Sequence, residues 1–119
     1  MNRQKTILIV DDEVDFLDNL KQFFMLHGYR CLGAVDGRKA LEQMDEHAPD
    51  LVMIDVLMPQ VDGYTFVREM QRRDLKAKCI VITAKKQLKD LFRLEHIDAF
   101  FEKPVDLDAL LVKVESLLS

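Results

Sequence analysis

The sequence predicts an α/β protein: a doubly wound, five-stranded parallel sheet covered on both faces by five helices, in three layers. Short apolar runs rich in β-branched residues alternate with amphipathic stretches of helical spacing, five times along the chain. Parallel strands need crossover connections, and right-handed crossovers favour a sheet that is wound in both directions. The predicted strands are Thr6–Val10, Arg30–Val35, Leu51–Asp55, Cys79–Thr83 and Ala99–Glu102.

The amphipathic stretches between these strands predict the helices in order. The first spans about Val14–His27 and is followed by Gly28, a residue type that commonly ends helices. The second spans about Arg38–His47, with Pro49 beyond its end, and the third about Tyr64–Arg73. Each stretch repeats its apolar residues at helical spacing, so one face of each helix is expected to pack on the sheet.

The last two helices are predicted over about Gln87–Leu94 and Leu107–Leu118. Their apolar residues also recur on one stripe, which is typical of helices that cover a sheet. Across the five helices, the residues expected to face the core are Leu17, Leu20, Phe24, Ala40, Leu41, Met44, Phe66, Val67, Met70, Leu88, Leu91, Phe92, Leu107, Leu110, Leu111, Val114, Leu117 and Leu118.

Length and composition favour one ordinary domain over residues 1–119. Apolar residues make up 49% and charged residues 32%, which argues against disorder, and no repeat or low-complexity linker divides the chain. The net charge of -4 gives no reason to expect direct binding of nucleic acid. No apolar run is long enough for a membrane span or a signal peptide, so we expect a cytoplasmic chain with no membrane contact.

The cysteines and histidines predict no metal or redox site. Cys31 and Cys79 lack CxxC spacing and lie in apolar runs, so we expect reduced strand or core residues. His27, His47 and His96 share no ligand spacing and are expected at surface or capping positions.

Polar residues follow four of the predicted strands at their carboxyl ends. In doubly wound sheets the ligand site lies outside these ends, where the winding reverses, so the side chains should converge. They are Asp11, Asp12 and Glu13 after the first strand, Asp55 at the end of the third, Thr83 at the end of the fourth, and Lys103 after the fifth.

Each of these residues has an ordinary interpretation when it is taken alone. Asp11 or Asp12 could cap the first helix, Thr83 could cap the fourth, Lys103 could be solvated, and Asp55 could belong to a turn. Convergence changes the argument, because two carboxylates about 4 Å apart repel by roughly 4 kcal/mol at an effective dielectric near 20. An acid cluster therefore needs a cation. Carboxylates, a carbonyl and water around a hard divalent ion are the pattern of Mg²⁺, which leaves a position for a phosphate oxygen.

These residues and their neighbours resemble the receiver domain of two-component response regulators along almost the whole chain. The matching segments are "VDDE", "IDVLMPQVDGYTFVREM", "ITA" and "FFEKP", each following one strand in the right order. The resemblance implies a flavodoxin-like three-layer sandwich with strand order 2-1-3-4-5, an order carried over from the family. It also implies a regulatory phosphoacceptor, not an enzyme, that assists its own phosphorylation and dephosphorylation.

By the same resemblance, Asp55 is the phosphoacceptor and becomes an aspartyl phosphate. Asp12 is expected as a direct Mg²⁺ ligand, Asp11 acts mainly through water, and Asp55 and the backbone carbonyl of Leu57 complete the protein ligands. Catalysis is then positioning and charge neutralisation around an in-line transfer.

The resemblance also assigns a switch that reports phosphorylation. The hydroxyl of Thr83 bonds the phosphoryl group, Lys103 pairs with it, and Phe100 turns inward, although a plain core aromatic remains the alternative for Phe100. Alternation along the fifth strand places Phe100 and Phe101 on opposite faces. The Lys103–Pro104 peptide bond is expected to be cis.

Partners follow from the same resemblance. The donor is a phosphohistidine on a sensor histidine kinase or a histidine phosphotransfer protein, because the chain has no ATP-binding GxxxxGK[ST] loop of its own. A downstream effector domain or protein receives the signal, and the resemblance also allows a phosphorylation-dependent dimer. Direct binding of nucleic acid by this domain is not expected.

The sequence departs from the family between Thr83 and Lys103, where the interval is two residues shorter than usual. The segment "RLEHIDAFF" replaces the small residues that commonly precede the fifth strand. We therefore expect a short, shifted or irregular fourth helix. Its basic stripe, Lys85, Lys89 and Arg93, is either a solvated face or a docking site for an acidic partner.

Three other functions compete with a phosphoacceptor switch. A degenerate receiver that signals by binding alone would lack one of the required groups, and all are present. An aspartyl-nucleophile phosphatase would need a second acid at Leu57. A flavodoxin-like cofactor binder would need a phosphate loop rich in Ser, Thr or Gly after the first strand, where "DDEVD" stands instead.

Overall fold

Five parallel strands form one sheet in the computed structural model of the chain, which describes residues 3–56, 62–84 and 97–119. Their order across the sheet is β2-β1-β3-β4-β5, and each neighbouring pair is parallel, as predicted. The strands are β1 (Thr6–Val10), β2 (Arg30–Ala34), β3 (Leu51–Ile54), β4 (Lys78–Thr83) and β5 (Ala99–Glu102).

Helices cover both faces of this sheet. Those within the described ranges are α1 (Val14–Leu26), α2 (Gly37–His47), α3 (Gly63–Arg72) and α4 (Leu107–Leu118). Every predicted strand and helix bound that falls in these ranges agrees with the structure to within one residue. The helix predicted at 87–94, with its basic stripe, lies outside the described residues. No helix in the described ranges has the length and apolar character needed to cross a membrane.

The three inner strands carry almost only buried side chains, because helices lie on both sides of them. Alternate residues point to opposite faces, so Leu8 and Val10 join the core under α2 and α3, while Ile7 and Ile9 join the core under α1 and α4. Phe100 packs against the first of these cores and Phe101 against the second. The predicted separation of these two aromatic rings is therefore confirmed.

Aspartates cap three helices in the usual way. The side chains of Asp36, Asp62 and Asp106 accept hydrogen bonds from backbone N–H groups in the first turns of α2, α3 and α4. Helix α1 differs, because its N-cap residue is Glu13, whose side chain makes no capping hydrogen bond. At the other end of α1, Gly28 adopts a φ of 93°, which is the left-handed conformation expected of a glycine that ends a helix.

The cysteines and two of the histidines lie where the sequence predicts. Cys31 is half-buried in β2 and Cys79 is buried in β4, and neither forms a disulfide. Burial raises the pKa of both thiols, to about 11 for Cys31. His27 and His47 are exposed at the ends of α1 and α2, whereas His96 lies outside the described residues.

Candidate functional site

The sheet brings the predicted site residues to one edge. Asp11 follows β1, Asp55 follows β3, Thr83 ends β4 and Lys103 follows β5. Because β1, β3, β4 and β5 are consecutive neighbours in the sheet, these four residues lie side by side at its carboxyl edge. The winding reverses between β1 and β3, which places the two aspartates at the switch point of the topology.

Backbone hydrogen bonds extend the sheet by one residue beyond three of the strands and so fix the site. The N–H of Asp11 donates to the carbonyl of Ala34 at 3.0 Å, and the N–H of Asp55 donates to that of Val10 at 3.1 Å. The N–H of Lys103 donates to the carbonyl of Thr83 at 2.9 Å. The side chains of Asp11, Asp55 and Lys103 therefore begin from backbone that is hydrogen-bonded into the sheet.

Three carboxylates meet at this edge. Asp11, Asp12 and Asp55 each offer one oxygen, and these three oxygens all lie within 4.8 Å of one another. Asp11 and Asp55 are buried, whereas Asp12 is exposed. Oxygen donors in this number and proximity suit a hard divalent cation such as Mg²⁺. The predicted fourth ligand, the carbonyl of Leu57, lies outside the described residues.

Lys103 supplies the positive charge of the site. Its Nζ lies 2.8 Å from Asp11 Oδ2, 2.9 Å from Glu13 Oε1 and 3.2 Å from Asp55 Oδ2. The same atom lies 4.3 Å from the centroid of the Phe16 ring, within the range of a cation–π contact. Lys103 therefore joins the ends of β1, β3 and β5 to the first turn of α1.

Burial and charge act in opposite directions on these groups. Burial raises the pKa of Asp11, and the hydrogen bonds from Lys103 and from the Glu13 N–H only partly offset this rise. Burial lowers the pKa of Lys103, but its hydrogen bonds to Asp11 and Glu13 and the charge of Asp55 outweigh burial, so its pKa is raised. The ammonium of Lys103 therefore stays charged. A further positive charge nearby would stabilise the ionised form of the surrounding carboxylates.

The alternative role of Asp11 or Asp12 as the cap of α1 is not realised, because Glu13 occupies the N-cap position. Asp11 instead accepts the Glu13 N–H at 2.9 Å through Oδ1 and Lys103 through Oδ2. Thr83 is fully buried at the end of β4, and Phe100 is half-buried beside the core under α2 and α3. The Lys103–Pro104 peptide bond is cis.

Gly63 is a contributor that residue chemistry alone does not predict. Its N–H donates to the carbonyl of Val56 at 2.9 Å, and a Cβ built on it would lie 2.3 Å from the carbonyl oxygen of Asp55. The start of α3 therefore packs directly on the backbone of Asp55, at a distance that only glycine allows. The signal in the sequence is the Asp62–Gly63 pair at a helix start, where Asp62 caps α3.

Glu13 and Phe16 also contact the site without having been assigned a role from the sequence. Both lie in or next to the first turn of α1, and both approach Lys103. With Lys103 they line a hollow of about 570 Å³ between α1 and the segment that leads from β5 into α4.

The fold and this edge define a class of doubly wound α/β domains in which acids and a lysine flank one aspartate. A family model described as the response regulator receiver domain matches residues 7–115. The chain belongs to this family, and it is a regulatory domain of two-component phosphorelay signalling.

Individual relatives agree with this assignment. The chain is 32% identical over 115 residues to the response regulator SaeR of Staphylococcus aureus, covering 95% of this chain and 50% of SaeR. The chain thus spans about half the length of the curated relatives it matches.

Solved structures agree as well. The response regulator TrrA of Thermotoga maritima, in complex with Mg²⁺-BeF, superposes with a TM-score of 0.87 at 31% identity, over 96% of this chain and 99% of TrrA. A chain of the CheX-CheY-BeF3-Mg²⁺ complex of Borrelia burgdorferi superposes with a TM-score of 0.88 at 32% identity, over 97% and 90% of the two chains.

Proposed function

We propose that Asp55 accepts a phosphoryl group from a phosphohistidine donor in a Mg²⁺-dependent reaction, and that residues 1–119 act as a single receiver domain. One observation carries this proposal. A carboxylate oxygen of Asp55 lies within 4.8 Å of oxygens from two further carboxylates, and the Lys103 Nζ lies 3.2 Å from Asp55 Oδ2. One carboxylate is thus placed where both a metal and a lysine can reach a group attached to it.

The residues present fit Mg²⁺. Asp11, Asp12 and Asp55 are hard oxygen donors, and they would hold the ion together with the carbonyl of Leu57. Asp11 already binds Lys103 and the Glu13 N–H, while Asp12 is exposed, which supports Asp12 as a direct ligand and Asp11 as one that acts through water. When bound, the ion would offset the negative charge that collects on the transferred phosphoryl group.

The chain's own residues supply the rest of the reaction. A carboxylate oxygen of Asp55 attacks phosphorus in line with the breaking P–N bond, whose electron pair returns to the donor imidazole. Lys103 stabilises the phosphoryl oxygens by charge, and the hydroxyl of Thr83 donates a hydrogen bond to one of them. By holding these groups in place the domain assists its own phosphorylation and dephosphorylation.

Phosphorylation would then act on the fold through β4 and β5. Charge-assisted hydrogen bonds from Thr83 and Lys103 to the phosphoryl group contribute about 1.5–3 kcal/mol each, enough to shift a two-state equilibrium by tens- to hundreds-fold. Phe100, half-buried on β5, moves inward in the phosphorylated state. A downstream effector, or a second phosphorylated copy, binds the changed surface. The cytoplasmic location stays a prediction from the sequence.

The test is phosphorylation by a small phosphodonor such as an acyl phosphate or phosphoramidate, followed by intact-mass measurement. We expect one phosphoryl adduct on the wild-type chain with Mg²⁺, and none with a chelator or in Asp55→Asn. Asp18→Asn, which removes an exposed acid of α1, is the matched control and should be phosphorylated normally. An adduct that persists in Asp55→Asn, or forms equally well in chelator, would contradict the assignment.

A further inference from the structure

The Lys103 ammonium has no free donor for an incoming phosphoryl oxygen. An ammonium has three N–H donors and no acceptor. In this structure Nζ lies within hydrogen-bond distance of three carboxylate oxygens, on Asp11, Glu13 and Asp55. A phosphoryl oxygen on Asp55 that bonds Lys103 must therefore replace one of these partners.

Burial decides which partner can leave. The side chain of Asp11 is only 2% exposed and that of Asp55 8% exposed, whereas that of Glu13 is 65% exposed. A buried carboxylate that loses its cation is left without compensation, while an exposed one is solvated by water at little cost. Glu13 is thus the partner that Lys103 can release.

Helix capping does not explain where the Glu13 side chain lies. Glu13 is the N-cap residue of α1, yet its carboxylate makes no capping hydrogen bond and contacts Lys103 instead. The N-cap acids of the other three described helices, Asp36, Asp62 and Asp106, all accept first-turn N–H groups. The contact with Lys103 is therefore the interaction that orients Glu13.

We propose that Glu13 is a positioning residue that occupies one donor of Lys103 in the unphosphorylated domain and yields it to a phosphoryl oxygen on Asp55. This inference rests on the proposed function of Asp55. The exchange involves no covalent change at Glu13, only the replacement of one ion pair by another. The Phe16 ring and Asp11 keep the ammonium in place during the exchange. Glu13 therefore favours the unphosphorylated state.

The variant Glu13→Gln keeps the size of the side chain and removes its charge. We expect it to bind beryllofluoride, a phosphoryl mimic, about two- to five-fold more tightly than wild type in saturating Mg²⁺, the range that measured exposed ion pairs allow. The affinity is measured by calorimetric titration. Asp15→Asn is the matched control, because it removes an equal charge from the first turn of α1 and Asp15 is not among the Lys103 partners in the described ranges.

A second readout requires neither metal nor phosphoryl mimic. Hydrogen exchange of the Lys103 ammonium protons, followed by ¹⁵N NMR of the Nζ group in the metal-free protein, should accelerate in Glu13→Gln. It should stay at the wild-type rate in Asp15→Asn. A carboxylate that only contributed to the general charge of the edge would not produce this difference.

The outcomes separate this inference from the proposed function. If the wild type binds beryllofluoride and Glu13→Gln binds it equally well or more weakly, the role of Glu13 is overturned and the proposed function of Asp55 is not. Equal ammonium exchange in Glu13→Gln and Asp15→Asn would do the same. Failure of the wild-type chain to bind beryllofluoride, or binding that survives Asp55→Asn, would overturn the proposed function and this inference with it.

Discussion

At the residue scale, the position of Asp55 depends on the absence of a side chain at Gly63. A Cβ there would lie 2.3 Å from the Asp55 carbonyl oxygen and 2.6 Å from the Val56 Cα, so backbone would have to move. We expect Gly63→Ala to lower the free energy of unfolding by about 1–3 kcal/mol, the usual cost of overpacking. We also expect it to slow phosphorylation of Asp55. Urea unfolding and the phosphodonor assay measure the two effects.

Gly33→Ala is the control for this substitution. The three atoms nearest to a Cβ built on Gly33 all belong to the side chains of Leu17 and Lys21, at 3.3 Å. Flexible side chains can shift by such a small amount, so the change in unfolding free energy should stay within about 1 kcal/mol and phosphorylation should be unaffected. Equal effects of the two substitutions would show that the contact with the Asp55 backbone is unimportant.

Gly63 and Glu13 also show where sequence reasoning ends at this scale. The convergence of Asp11, Asp55 and Lys103 could be predicted, because each directly follows a strand and parallel strands share one carboxyl edge. The contact of Gly63 depends on how closely α3 approaches β3, which no local pattern records. The contact of Glu13 depends on a side-chain rotamer, and its position before a helix suggests a cap that the structure does not contain.

At the scale of the elements, the alternation of strand and helix periods predicts the sheet and its helices because each element buries an apolar face of its own. The strand order comes from the family resemblance, since apolar periodicity does not say which strands are neighbours. The bounds follow from the residues that start and stop helices, such as Asp36 and Gly28. Apolar periodicity does not predict the side-chain hydrogen bonds that link neighbouring strands at their amino ends.

Asp50 makes one such link, between the start of β1 and the residue before β3. Its Oδ2 accepts the Thr6 N–H at 2.8 Å, its own N–H donates to the Thr6 carbonyl at 2.8 Å, and its carboxylate pairs with Arg3. Burial raises the pKa of Asp50, but the hydrogen bonds from Arg3 and Thr6 outweigh burial and lower it overall. The folded state therefore favours the ionised carboxylate.

Asp50→Ala should lower the free energy of unfolding at pH 7 by about 1.5–3 kcal/mol, since it removes hydrogen bonds to a charged group. Because the folded pKa lies below the ordinary value of 3.8, this contribution is complete above that value and is lost as pH falls through the folded pKa. Urea unfolding at pH 7 and near pH 3 should show the wild type and the variant converging in acid.

The control for Asp50 is Asp45→Ala. Asp45 pairs with Arg73 at 3.1 Å, but its side chain is 60% exposed, so its removal should cost less than about 1 kcal/mol. A cost for Asp50→Ala that stays constant down to pH 3 would rule out the ionised carboxylate as the source of the stabilisation.

At the scale of the whole molecule, the fold gathers negative charge at one edge that the unfolded chain would spread out. Asp55 lies 44 residues after Asp11 and 43 residues after Asp12 in the sequence. In the folded sheet, one carboxylate oxygen from each of the three residues lies within 4.8 Å of the other two. Lys103, from the far end of the chain, offsets part of this charge. A divalent cation that needs all three carboxylates can therefore bind only the folded state.

Binding to the folded state alone raises the melting temperature. At a Mg²⁺ concentration about five times the dissociation constant the gain is about 1 kcal/mol, or several degrees for a domain of this size. Thermal unfolding with millimolar MgCl₂, compared with NaCl of equal ionic strength, should show this rise in the wild type and in Asp18→Asn. The rise should shrink in Asp12→Asn, because Asp12 is a Mg²⁺ ligand in the proposed function and its exposed side chain does not support the core. The absence of a rise in the wild type would mean that the gathered acids are neutralised by Lys103 alone. An identical rise in Asp12→Asn would mean that Asp12 is not a ligand of the ion.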